Sequence, residues 1–445
     1  MAQAIRLKFC FHPLEAYAIA WNEAGRSDRA RPHIAMRSLR RVAALLPLHV
    51  LACAAAVGVD SSARKMLRAR ERGAWALMQD IEPAPPTPPT KLVASQYYGK
   101  VFIGQPPQEF LVVFDSSSGS LVLPGSQCED SACQSHRRFF AGNSSSAVQI
   151  GWADDPTTPL AKDDDRDTKS LSLLGTDVSG EFVRDRVCVG KSKQLCGTID
   201  MIALSEESDE PFEHLAFDGV LGLSLSSPDA SAFNFASALF DDKPLAERVF
   251  SLYLSDARTD SQHGSGEISF GGYRKDRMAS DLVWAPLSNN GSWHIFVEDI
   301  TVNGKSVGVC GSRGCEAAVE TGSSLIMAPG NMLRAMLSKL DFDDSCSRSA
   351  GPLAFTIQGQ LFELDTSDLV EHDGDGCRLL LQSVSSAEKG PALVIGLPFL
   401  RKYTTVFDVG QKRLGFARAR HEPTTHTEDE QSSSLTTVQL VGTRP

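Results

Sequence analysis

Several common chemistries are absent from the chain. It has no Gly-x-x-x-x-Gly-Lys phosphate loop, no Gly-x-Gly-x-x-Gly turn and no Gly-x-Ser-x-Gly elbow, so no motif points to nucleotide binding or to a serine hydrolase. It has no Cys-x-x-Cys pair, the spacing used by zinc ribbons and dithiol oxidoreductases. His421-Glu422 is followed by Pro423, and the next histidine is one residue too far for a zincin helix. Positive charge is not in excess: the formal net charge of -11 argues against nucleic acid as a partner. No metal or organic cofactor is implied.

The 445 residues exceed one ordinary domain and suit two lobes with appendages. Charge is uneven. Residues 1–90 carry 13 Lys/Arg against 7 Asp/Glu, and the remainder carries 31 against 48. A basic leader on an acidic body suggests a zymogen whose leader masks an acidic cleft; a targeting leader is the plainer alternative. Residues 36–59 have the form of a secretory signal. Arg37, Arg40 and Arg41 precede an apolar run from Val42 to Val59, broken by Pro47 and His49, and Ala54-Ala55-Ala56 offers a cleavage site. A membrane anchor is the rival reading. A signal so placed implies that Met36 is the natural start and residues 1–35 a gene-model extension. Residues 60–90 read as a basic propeptide ending in the stiff Pro83–Pro89 linker.

Beyond the leader stand eight cysteines: Cys128, Cys133, Cys188, Cys196, Cys310, Cys315, Cys346 and Cys377. An even number at short spacings suits disulfides and an oxidising compartment. Asn143 and Asn290 head glycosylation sequons. Together these point to the secretory pathway, ending outside the cell or in an acidic endolysosomal or vacuolar lumen. From Lys91 onward, short apolar runs are broken by Gly, Pro, Ser and Asp, a β-rich pattern. Residues 141–170 are polar and acidic and read as an inserted loop. Residues 421–445 are polar and rich in Thr and Ser, and read as a disordered tail.

One pattern occurs twice. Val112-Val113-Phe114-Asp115-Ser116-Ser117-Ser118-Gly119 is echoed by Ala317-Ala318-Val319-Glu320-Thr321-Gly322-Ser323-Ser324. Each copy is an apolar run, one acid, a hydroxyl residue and then small residues. This suggests a buried strand leading into a tight loop that presents a carboxylate. Each is followed by two apolar residues and a glycine, Val220-Leu221-Gly222 and Val394-Ile395-Gly396. Two such units suggest two lobes meeting at a carboxylate pair. Like charges in contact do not both ionise readily, so one proton is shared and a water between them can be activated. For a single copy, a capped turn would be the better explanation.

On these residues the chain resembles the pepsin/cathepsin D family of aspartic peptidases over roughly residues 97–418. Ile103-Gly104-Gln105-Pro106-Pro107-Gln108 looks like the family's opening turn, and Phe217-Asp218-Gly219-Val220-Leu221-Gly222-Leu223 matches a strong family signature. The shared-proton logic is that family's established chemistry and comes with the resemblance. So does the expected fold: all-β with a few short helices, bilobal, with pseudo-twofold symmetry and a central cleft. The implied lobes are residues 91–272 and 273–420. The resemblance also implies the bridges Cys128–Cys133, Cys310–Cys315 and Cys346–Cys377, with Cys188–Cys196 paired by parity. Asp115 and Glu320 become the catalytic dyad. Ser116, Ser118, Thr321 and Ser323 become its support, and Leu174, Gly175 and Thr176 the flap.

Four departures fall on that machinery. Glu320 stands where the family has Asp, moving its carboxyl by about 1 Å, a misplacement able to cost roughly 100-fold in rate. Ser117 replaces a glycine. If the position needs positive φ, or if its amide closely approaches the carboxylate, a Cβ strains the loop. Leu174 replaces the flap tyrosine, and Val122 the tryptophan that bonds it, so a polar pair becomes an apolar one. Two readings follow. One is an endopeptidase cleaving extended polypeptides at acidic pH through a water held between Asp115 and Glu320. The other is an impaired pseudoprotease that binds peptides in the same cleft. In either case the partners are a polypeptide and the chain's own propeptide, and the protein is expected to be a monomer.

Overall fold

The computed structural model describes residues 96–152, 160, 166–173, 176–190, 195–225, 232–242, 245–255, 265–289, 291–343, 346, 349–373, 376–384, 392–421 and 435–442. They fall in one compact unit, Leu92–Pro445. The leader segments 1–35, 36–59 and 60–90 lie outside the described residues, as do Leu174, Gly175 and Asn290 of the expected site and glycosylation residues.

The architecture is the expected two-lobed all-β fold, and the sequence repeat is a structural repeat. The strand Gln108–Asp115 lies parallel to Gly219–Gly222, with Asp115 opposite Gly222. The next strand, Leu121–Pro124, runs antiparallel to Gly219–Gly222 and parallel to Leu195–Glu206. The second copy repeats the pattern. Cys315–Val319 lies parallel to Leu393–Ile395, and Ile326–Pro329 runs antiparallel to Leu393–Ile395 and parallel to Leu381–Val384. Both acid strands are covered on both faces, which is why they read as continuous apolar runs.

The two glycines after the apolar pairs are demanded by close approach. A Cβ on Gly222 would come within 2.6 Å of Ser118 O, and one on Gly396 within 2.3 Å of Ser323 O. Each acid loop crosses directly over its glycine.

The largest sheet has 14 strands. Its centre corrects one expectation, because part of the segment 421–445 is an ordered strand. Residues Thr436–Gly442 form a strand between Tyr97–Ile103 and Ser265–Phe270, antiparallel to both. Val438 and Leu440 enter the main core while Gln439 and Val441 face outward. That alternation outweighs the polar composition of the surrounding segment. The segment 141–170 also contains order: Val148–Ile150 pairs with the long strand Thr176–Val189. All four expected disulfides are formed. Cys188 and Cys196 sit directly opposite on neighbouring strands.

Candidate active site

Asp115 ends its strand and turns into a loop that returns its own donors to the carboxylate. The backbone N–H of Ser117 donates to Oδ1 at 3.0 Å and that of Ser118 to Oδ2 at 3.1 Å. The Ser117 hydroxyl lies 2.9 Å from each oxygen. The Ser118 hydroxyl, expected to support the dyad, is buried and finds no hydrogen-bond partner among the described residues. Ser117, the departure from the glycine pattern, has taken the hydroxyl contact. Its amide does approach the carboxylate closely. It is not among the non-glycine residues at positive φ, so no backbone strain arises there.

Glu320 is held differently. Its backbone N–H donates to Ile395 O at 3.0 Å. No hydrogen bond to its side-chain carboxyl is present among the described residues. The Ser323 hydroxyl donates to Leu325 O at 3.1 Å and does not reach Glu320, contrary to expectation. Burial, reinforced by the charge of Asp115, pushes the Glu320 carboxyl up to about 7. The two acids therefore occupy contrasting environments, one rich in donors and one poor.

The loops are locked across the lobes. The Ser116 amide donates to Thr321 Oγ1 at 2.9 Å, and the Thr321 amide to Ser116 Oγ at 3.0 Å. Ser116 Oγ donates to Val319 O at 2.8 Å, and Thr321 Oγ1 to Phe114 O at 2.6 Å. The lock brings Gly322 so close that a Cβ there would lie 2.7 Å from Asp115 Oδ1.

The sequence reading missed Trp293. It is buried, accepts the Val319 amide on its carbonyl at 3.0 Å and donates its indole N–H to Leu223 O at 2.9 Å. The Leu223 amide in turn donates to Asp115 O at 2.7 Å. Trp293 thus links the backbones of both acid loops. A buried tryptophan must pair its N–H, which hints at such a role, but the partner is distant in sequence.

Strands Thr168–Leu173 and Thr176–Val189, where the flap is expected, form a hairpin with Leu173 opposite Thr176. Leu174 and Gly175 fall outside the described residues. Val122 packs in an apolar cluster that Leu173 flanks. Beside it lies a small cavity whose walls include Val122, Leu173, Leu215 and Phe217 together with Glu207. Burial, with the charge of Asp130, pushes Glu207 up to about 7. Asn143 closes a short 3-10 turn on the surface. Among the described residues no group of three His, Cys, Asp or Glu side chains is placed to hold a metal ion. None of their helices is long and apolar enough to cross a membrane.

Residues 96–419 match the family model described as eukaryotic aspartyl protease. Gastricsin of Rattus norvegicus is 30% identical over 347 residues, covering 74% of this chain and 82% of the relative. Gastricsin of Mus musculus is 31% identical with the same coverage. Pepsin A of Rhinolophus ferrumequinum is 31% identical over 340 residues, 72% of this chain and 81% of the relative.

Proposed function

The chain belongs to the eukaryotic aspartyl protease family, and on that premise we propose that it is an endopeptidase in which Asp115 is the general base and Glu320 the proton-holding acid. The observation that carries the assignment is the contrast between the two carboxyls. Asp115 accepts hydrogen bonds from its own loop, an arrangement suited to an ionised acceptor. Glu320 has no such donors and is pushed up to about 7, so at acidic pH it holds the shared proton.

In the proposed step Asp115 takes a proton from a water held between the carboxyls. The water oxygen forms a bond to the peptide carbonyl carbon, and Glu320 gives its proton to the carbonyl oxygen. The tetrahedral intermediate then collapses: one of its hydroxyls returns its proton to Glu320 as the carbonyl re-forms, the C–N bond breaks, and the leaving amine takes a proton from Asp115. The substrate is an extended polypeptide lying under the flap hairpin. The four disulfides support a route through the secretory pathway to the extracellular space or an acidic lumen. Residues 60–90 would serve as a propeptide in a monomeric zymogen, and Asn143 and Asn290 would carry glycans.

An assay at pH 3–6 on a general protein substrate tests the reading. Activity is expected, lost in Asp115→Asn and Glu320→Gln, and raised in Glu320→Asp because the carboxyl retracts by about 1 Å into a frame built for the shorter acid. No hydrolysis by any form, with peptide binding retained, would favour the second reading, a peptide-binding pseudoprotease. The Ser117 hydroxyl on Asp115 is the observation that supports that second reading.

A further inference from the structure

Ser117 stands where the twin loop has Gly322. Its side chain is exposed, and its hydroxyl oxygen is equidistant, at 2.9 Å, from Oδ1 and Oδ2 of Asp115. Equal distances put that oxygen on the plane that bisects the carboxylate, where its one O–H forks between both oxygens. The Ser117 and Ser118 amides add one further bond to each oxygen. A carboxylate offers about four lone-pair positions, and three donors of its own loop already occupy Asp115, the hydroxyl lying across both oxygens. A general base must instead accept a hydrogen bond, at roughly 2.6–3.2 Å, from the water that it deprotonates.

We propose that Ser117 gates the reaction: its hydroxyl occupies the seat on Asp115 that the reacting water needs, and turnover requires the side chain to rotate out. The inference rests on Asp115 being the base and deepens that reading by making the loop's own side chain the competitor of water. Rotation is open to it, since the residue is exposed and serine has three staggered χ1 states. Ser117 is a positioning residue here and takes no part in bond making.

The test uses two peptides that differ at one atom. One carries a secondary alcohol at the scissile position and the other is its deoxy twin. The alcohol must take the seat between the carboxyls, whereas the deoxy compound need not. Ser117→Ala and Ser117→Gly are expected to raise the preference for the alcohol by roughly 10-fold or more, the worth of a hydrogen bond to a charged acceptor. Ser117→Thr, which keeps a hydroxyl, is expected to retain the wild-type preference. A side chain that merely stabilised the loop would shift both compounds together. An unchanged preference in Ser117→Ala, with both compounds bound, overturns the gate and leaves the peptide cleft standing. Failure of every form to bind either compound overturns the cleft reading and the gate with it.

Discussion

Ser116 and Thr321, 205 positions apart in the chain, hold each other by exchanging identical bonds: each hydroxyl accepts the other's amide and donates to the carbonyl that precedes the opposite acid. All four bonds are buried. Because Phe114 and Val319 directly precede Asp115 and Glu320, the lock fixes the spacing of the acid backbones and leaves only the side chains to differ.

Thr321→Val keeps the shape and removes the hydroxyl. The Ser116 amide and the Phe114 carbonyl are then left unpaired in a buried place, a cost of roughly 2–4 kcal/mol. Denaturant unfolding should show a lower midpoint with an unchanged slope. A loss below about 1 kcal/mol would mean that other contacts set the register of the loops.

Gly322→Ala tests the other half of the same geometry. The new Cβ would sit 2.7 Å from Asp115 Oδ1 and 2.9 Å from its Cγ, closer than real contacts allow. The Asp115 carboxyl or the loop carrying residue 322 must shift, and a displacement near 1 Å costs on the order of 100-fold in rate. We expect kcat to fall by about that factor with KM nearly constant. Retained activity would show that the loops slide past one another more freely than their lock implies.

The pH dependence follows from two raised carboxyls. Glu320 and Glu207 both lie near 7 in the folded protein, against an ordinary value of 4.5. Between those values the folded chain binds more protons than the unfolded one, so stability falls as pH rises from about 4.5 to about 7. Each group contributes at most about 3 kcal/mol, the first mainly through burial and the second likewise. Thermal melts at intervals across this range should show a declining midpoint. Glu207→Gln, remote from the dyad chemistry, should flatten the slope by about half. A midpoint that rises across the window would contradict the burial of both side chains.

The fold was legible in the sequence because duplication leaves a pattern that chance does not. An apolar run, an acid and a glycine-terminated partner occur twice, and each part has a separate steric reason. The acid pair was legible for the same cause, whereas Ser116 and Thr321 were placed beside it only through the family resemblance. The hydroxyl assignments were not legible. Ser118 and Ser323 have suitable positions in sequence, but which of several adjacent hydroxyls reaches a carboxylate depends on side-chain direction within a turn, and there Ser117 prevailed. Trp293 escaped notice because its partner lies 70 residues away. The closing strand was hidden by composition: polar neighbours masked the alternation of Val438 and Leu440 with outward residues.

That closing strand gives the last prediction. Thr436–Gly442 pairs on one side with Tyr97–Ile103 and on the other with Ser265–Phe270, and it is the link between those two strands in the sheet. Gly99 faces it so closely that a Cβ would lie 2.8 Å from Val438 and 2.9 Å from Leu440, so the core has been shaped around these two side chains. Burying each is worth about 1.5–3 kcal/mol, and removing the strand also exposes two unpaired edges. A chain ending at residue 434 should therefore melt well below the intact protein and associate at higher concentration. Leu440→Asp should reproduce much of the loss, because it places a charge in the core, whereas Gln439→Lys on the outward face should not. Adding a peptide of residues 435–442 to the shortened chain should restore part of the melting temperature, since the acceptor slot depends on backbone pairing and two apolar contacts. If the shortened chain melts like the intact one, the strand is a passive appendage and the two halves of the sheet are held together by other contacts.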